Sequence, residues 1–135
     1  MGLDDIHVGV VNGNGNGRAL LNEIARLLQH LLETGESASI DLARLPLSGE
    51  DYDLLDEVLG EGEVHAEVSA LGATEVVETG VPGVWWVTHY NADEEVMAEF
   101  IEVAFCPEIL RSAAEDVNEG LEALRARLFE EHLSG

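Results

Sequence analysis

Histidine and carboxylate are the side chains whose types and clustering here bear most directly on chemistry. His65 and His89 fall in two extended segments, with Glu61, Glu63, Glu78 and Glu102 in the same region, a donor set chemically suited to a divalent ion such as zinc. The spacing does not demand that use. There is no His-Glu-x-x-His helix, and Cys106 is the only cysteine, so one chain can build neither a cysteine cluster nor an internal disulfide. Acyl-transfer chemistry is equally short of parts. No Gly-x-Ser-x-Gly elbow occurs, and Cys106, directly before Pro107 at the end of an apolar run, reads as a packed thiol rather than a nucleophile. Close carboxylate pairs carry little information in a chain with 28 acidic residues, because many arise by chance.

A glycine repeat raises a second chemistry. Asn12-Gly13-Asn14-Gly15-Asn16-Gly17 follows the apolar run Ile6 to Val11 and precedes a helical pattern, the order in which a dinucleotide-binding unit begins. That fingerprint needs glycine at its first, third and sixth positions. Counted from Gly13 the sixth position is Arg18, and counted from Gly15 it is Leu20, so close packing of helix on strand is lost. Residues 1–17 therefore read as a flexible segment leading into a helix, and residues 18–135 as a single domain. A small nucleotide- or metal-dependent enzyme remains the alternative reading.

The elements that must position these residues follow from periodicity. From Arg18 to Thr34 the residues Leu20, Leu21, Ile24, Leu27, Leu28, Leu31 and Leu32 recur at helical intervals, and Gly35 supplies a left-handed cap. Ser37 to Leu42 is short and mixed, a strand or an extended connection. Ser48 followed by Asp51 approximates a capping box for a short helix ending at Gly60, with Tyr52, Leu55, Val58 and Leu59 inward. Next, Val64, Ala66, Val68 and Ala70 alternate with polar residues, and further strands run over Glu75 to Thr79, Val84 to Tyr90 and Val96 to Phe105. Ser112 and Glu115 open a last helix carrying Val117, Leu121, Leu124 and Leu128. The expected fold is α+β: an antiparallel meander of about four strands, packed with two long helices and one short helix.

Two positions inside the sheet stand out. Neighbouring strand residues point to opposite faces, so Trp85 and Trp86 cannot enter one core together, and one ring must be covered on a second face by another element, a second copy of the chain or a client. Glu102 interrupts an apolar strand face and must find a hydrogen-bonding partner or an exposed margin.

Composition then limits the partners. The 28 acidic residues face 6 basic ones, all arginine, for a net charge of −22, which repels nucleic-acid backbones and anionic membranes. Neither an export signal nor a membrane-spanning apolar run is evident, and a cytoplasmic location is expected.

Several strings resemble a known family. Leu59-Gly60-Glu61-Gly62-Glu63-Val64, Glu78-Thr79 leading to Pro82-Gly83-Val84-Trp85, and Phe100-Ile101-Glu102-Val103 followed by Pro107-Glu108-Ile109-Leu110 are similar to the C-terminal domain of the HupH hydrogenase expression/formation proteins. Thr34-Gly35-Glu36, Ile40-Asp41-Leu42 and Leu45-Pro46-Leu47 look like its lead-in, so the resemblance extends from about Leu20 to Leu128. It implies a non-enzymatic chaperone in maturation of uptake nickel–iron hydrogenases, bringing no catalytic, cofactor or metal residue with it. The implied partner is the iron–sulfur small-subunit precursor, alongside a thioredoxin-like accessory protein. Family members are often longer, with additional sequence before this domain. Candidate contact residues are Glu61, Glu63, Pro82 and the pair Trp85 and Trp86, together with His89, Glu102 and Pro107. A symmetric homodimer covering the second tryptophan is the third reading.

Overall fold

A computed structural model describes residues 15–69 and 72–134. In chain order it contains α1 (Asn16–Thr34), β1 (Ala38–Asp41), α2 (Gly49–Leu59), β2 (His65–Ser69), β3 (Ala73–Glu78), β4 (Val84–Tyr90), β5 (Val96–Val103) and α3 (Ala114–Ser134), with single 3₁₀ turns at Leu42–Arg44 and Glu108–Leu110. The apolar run Ile6 to Val11 and the first part of the Asn-Gly repeat lie outside the described residues.

The strands form one antiparallel sheet in the order β1-β5-β4-β3-β2. Strands β2 to β5 are the meander that short connections favour, and β1 adds a fifth strand at the far edge, pairing Ile40 with Ile101 and Ala38 with Val103. The sheet thus exceeds the expected four strands. Four residues are too few for alternation to announce a strand, and β1 is a strand because β5 offers it an edge to pair with.

On α1 the residues Leu20, Ile24, Leu27 and Leu31 are buried, and Gly35, at φ 78°, caps the helix with its N–H on the Leu31 carbonyl. Leu32, expected inward, is 77% exposed, and Val58 of α2 likewise faces outward. Each lies one residue, about 100° of rotation, away from a buried position that already meets the core.

The two helices are joined at their N-terminal ends. The Asp51 carboxylate accepts the Ser48 N–H at 2.9 Å and the Gly17 N–H at 3.0 Å, while the Ser48 hydroxyl accepts the Asp51 N–H at 3.1 Å. Asn16 Nδ2 donates to the Pro46 carbonyl at 2.9 Å. Gly17 permits this approach, since a Cβ there would lie 3.0 Å from the Asp51 carbonyl oxygen and 3.2 Å from its Cα. Asn16 and Gly17, assigned by sequence to the flexible segment, are therefore a buried helix start. Burial pushes the Asp51 carboxyl up, but the N–H groups of Ser48 and Gly17 and the Ser48 hydroxyl together hold it below the ordinary carboxylate value.

One sheet face carries the main core, in which Leu20, Ile24, Leu31, Leu55 and Leu59 of the helices meet Ile40, Val84, Ile101 and Val103. The opposite face has a smaller core of Val76, Trp85 and Val87, with Ala66, Phe100 and Leu110 packed against it. The long helix α3 does not take the covering position expected of it. Its residues are exposed as far as Glu130, including Val117, Leu121, Leu124 and Leu128. Periodicity identifies an apolar stripe but not what it packs on, and Leu110, ahead of α3, already packs on the second face. Strand β5 ends at Val103, two residues short of expectation, and Val96, Met97 and Phe105 are exposed because the buried stretch is confined to Ile101, Val103 and Ala104.

The Asp51 joint gives a pH signature. A depressed folded pKa contributes stability that is present above the unfolded carboxylate value and is lost as pH falls through the folded value. Replacing Asp51 by Asn is expected to destabilise the chain by about 1–2 kcal/mol at neutral pH. In urea denaturation series, the gap between Asp51→Asn and wild type should narrow on acidification; a gap independent of pH would contradict the joint.

Candidate functional site

The alternation of β4 sends its tryptophans to opposite faces. Trp85 belongs to the smaller core, 7% exposed, and its indole N–H donates to the Ala104 carbonyl at 3.0 Å. Opposite it in register is Glu102, whose carboxylate accepts the Glu108 N–H at 2.9 Å and so anchors the turn that follows β5. Glu102 is the hydrogen-bonded structural carboxylate that its apolar surroundings require. Pro107 is fully buried at the start of the same turn. His89 places Nδ1 2.8 Å from the Thr74 hydroxyl and meets the Phe100 ring edge to face at 5.6 Å. Trp85, His89, Glu102 and Pro107 are thus bound into the packing around the second face. Cys106, expected to be packed, is exposed, because the chain has left the sheet after Val103.

Trp86 faces the helices but lies toward the rim of α2. It is partly buried against Tyr52, with ring centroids 6.3 Å apart and planes at 42°, and its indole N–H donates to Glu99 Oε2 at 2.9 Å. A groove of about 370 Å³ opens beside these rings, lined also by Asp56, Glu61, Glu75, Thr88 and Tyr90. Through Glu75 and Tyr90 it continues into a depression of about 480 Å³ that includes Glu67, Asn91 and Glu94. Burial first, and then the negative charge of Glu99, push the Tyr52 hydroxyl above its ordinary value.

Backbone contacts hold the groove's rim. Gly60, at φ 65°, closes α2, and the following residues run beside the end of β3, with the Gly80 N–H on the Leu59 carbonyl at 2.7 Å and the Gly62 N–H on the Glu78 carbonyl at 2.8 Å. A Cβ on Gly62 would collide with the carbonyl oxygens of Thr79 and Glu78, so the Gly-Glu-Gly spacing fixes where Glu61 stands. Glu63, in the same loop, and Pro82, in the turn before β4, are exposed and do not line the groove.

Of the eight candidate residues the structure brings together Glu61 and Trp86. Sequence reasoning missed Asp56, Glu75, Tyr90 and Glu99 as groove residues. The signal was present as alternation, because Trp86, Thr88 and Tyr90 share a face, but Glu75 and Glu99 join that face only through the register that sets both opposite Thr88. Tyr52 faces inward, as its place in the helical pattern predicts, and lies half-buried at the margin of the helix. The two strand histidines cannot share an ion: His65 is registered to Val77 on the Trp86 face, 3.4 Å from Glu75, whereas His89 is on the Trp85 face. Among the described residues no group of three His, Cys, Asp or Glu side chains is arranged to hold a metal, and no helix is long and apolar enough to cross a membrane.

Comparison with known proteins adds to this geometry. The family model described as HupH hydrogenase expression protein, C-terminal conserved region, matches residues 15–130. Hydrogenase expression/formation protein HoxQ of Azotobacter vinelandii is 30% identical over 123 residues, covering 91% of this chain and 43% of that protein. Hydrogenase expression/formation protein HupH of Rhodobacter capsulatus is 37% identical over 98 residues, covering 67% of this chain and 36% of its own. The chain thus spans about two fifths of the length of these curated relatives. A solved structure, hydrogenase expression protein HupH from Thiobacillus denitrificans ATCC 25259, superposes with a TM-score of 0.80 at 47% identity, covering 86% of this chain and 97% of that one.

The two indoles should be separable in solution. Trp86→Phe, which leaves Trp85 as the reporter, is expected to give blue-shifted emission poorly quenched by acrylamide. Trp85→Phe should leave a redder, readily quenched signal and lower stability by about 1 kcal/mol through loss of the bond to Ala104. Equal quenching of the two variants would contradict the assignment of the faces.

Proposed function

This chain belongs to the HupH family of hydrogenase expression proteins through that family's C-terminal conserved region, and on that premise we propose that it serves hydrogenase maturation as a non-catalytic accessory protein. In this reading it holds the iron–sulfur small-subunit precursor of a nickel–iron hydrogenase, with a thioredoxin-like accessory protein acting beside it. The observation that carries the proposal is the family match over residues 15–130, which takes in the sheet, the two packed helices and nearly all of α3. The relatives are named for expression and formation, a role that calls for a reversible binding surface.

The groove beside Trp86 has the character of such a surface. It is open and walled by aromatic rings, and large aromatic side chains supply much of the binding energy in protein interfaces. Carboxylates around it select by charge. The four candidates built into the Trp85 side shape the domain rather than meet the client.

The test is capture of the small-subunit precursor by the intact chain under conditions where the precursor is soluble. Wild type is expected to retain it, and Trp86→Ala, checked for folding by circular dichroism, to weaken retention at least about tenfold, the loss typical of an interface hot spot. Failure of folded wild type to retain a soluble precursor would overturn the proposal.

A further inference from the structure

Helix α3 buries none of its residues from Ala114 to Glu130, and Val117, Leu121, Leu124 and Leu128 stand 42–58% exposed. A helix in water is marginal on its own hydrogen bonds, and the packing of an apolar face supplies most helical stability in proteins. Gly120, in the middle of α3, weakens it further, and no close approach within the chain calls for a glycine there, since a Cβ would meet nothing within 4 Å. The second sheet face offers the stripe no seat: Val76, Trp85 and Val87 are buried already, with Phe100 and Leu110 packed against them.

The charges of α3 are sorted about this stripe. At about 100° per residue, the half of the helix centred on it carries Ala114, Asn118, Gly120, Arg125 and Arg127, while Glu115, Asp116, Glu119, Glu122 and Glu130 all fall on the other half. In a chain with 28 acidic residues and 6 arginines, a face bordered by two arginines and no acid reverses the general character of the surface. Arg125 reaches only as far as Glu122, at 3.3 Å on the adjoining flank.

We infer that α3 is a homodimerisation element, its stripe seated antiparallel on α3 of a second copy of the chain. Val117, Leu121, Leu124 and Leu128 follow the alternating four- and three-residue steps of a coiled-coil seam. Reversed upon itself, that seam meets itself: Val117 of one copy faces Leu128 of the other, and Leu121 faces Leu124. Arg125 then lies across from Asn118 and Arg127 from Gly120, so no arginine opposes another, and both arginines come beside the acid-rich first turns of the other helix. A parallel pair would instead gather the two acidic starts, Glu115, Asp116 and Glu119 of each, at one end. Self-complementarity of pattern and charge thus favours a second copy over a foreign partner. The contact is smaller than the roughly 1,600 Å² of a standard interface, so the dimer is weak and concentration-dependent. It is independent of the client surface, because no α3 residue lines the groove.

Sedimentation equilibrium of the intact chain, from about 10 μM to about 1 mM, is expected to show a monomer–dimer equilibrium that strengthens as salt screens the net charge of −22 on each copy. Leu121→Gln/Leu124→Gln, which keeps good helix formers in place, should weaken dimerisation at least about tenfold, and Ala123→Gln/Ala126→Gln on the outer half should leave it within about twofold. Orientation is read separately, in the otherwise unchanged stripe, from nitroxides on Ala113→Cys with the exposed Cys106 replaced by Ser. Antiparallel seating sets them about 25–30 Å apart along the axis, and a parallel pair about 10 Å apart. A wild type monomeric throughout would overturn the inference, as would equal weakening by the two double variants, dimerisation that falls as salt rises, or the short nitroxide distance. A monomeric wild type whose retention of the precursor is lost in Leu121→Gln/Leu124→Gln would assign the stripe to the client and overturn it equally.

Discussion

The carboxylate of Asp51 lies where the N-terminal ends of α1 and α2 meet, and the covered part of the sheet depends on that meeting. Each helix start carries unsatisfied N–H groups and a partial positive charge, so two of them brought together without an anion would repel. One side chain satisfies a donor from each. Gly17 makes the approach close, and the Asn16 amide on Pro46 sets it from the other side. With the angle between the helices fixed there, Leu20, Ile24, Leu55 and Leu59 can all reach one core. The same angle determines how far α2 extends over the sheet, and hence where Trp86 is left partly open.

Much of this fold is legible in the sequence wherever a period is long or a cap is explicit. The capping box at Ser48 and Asp51, the left-handed Gly35 and the strand Val84–Tyr90 are all local statements, and local chemistry decides them. What was not legible depends on residues distant in the chain. β1 becomes a strand because β5 is there to pair with it, Gly17 is required by a residue 34 positions away, and α3 carries a convincing apolar stripe that is nonetheless exposed. No period within a segment reports these facts.

The candidate site divides along the same line. Alternation alone announced that Trp85 and Trp86 part company, but not which one stays accessible. The outcome follows from what lies on each side. Trp85 finds a buried carbonyl at Ala104 and a ring of small-core neighbours, whereas Trp86 meets the edge of a short helix and a carboxylate. Family likeness, being spread over residues 15–130, could not tell the two apart. Glu61 and Glu102 both stand in strings that resemble the family, yet one lines the groove and the other holds a turn.

The rim at Glu61 is fixed through main-chain atoms: Gly62 and Gly80 press against carbonyls of the neighbouring segment, and nothing in that contact uses the Glu61 side chain. Position and identity are therefore independent at this point. The backbone will present whatever residue stands between Gly60 and Gly62 in the same location, so the side chain at the rim can be exchanged without disturbing the fold that carries it. A charge placed at this rim or taken from it would thus leave the architecture as it is, because the frame is made of main-chain atoms and the charge is not part of it.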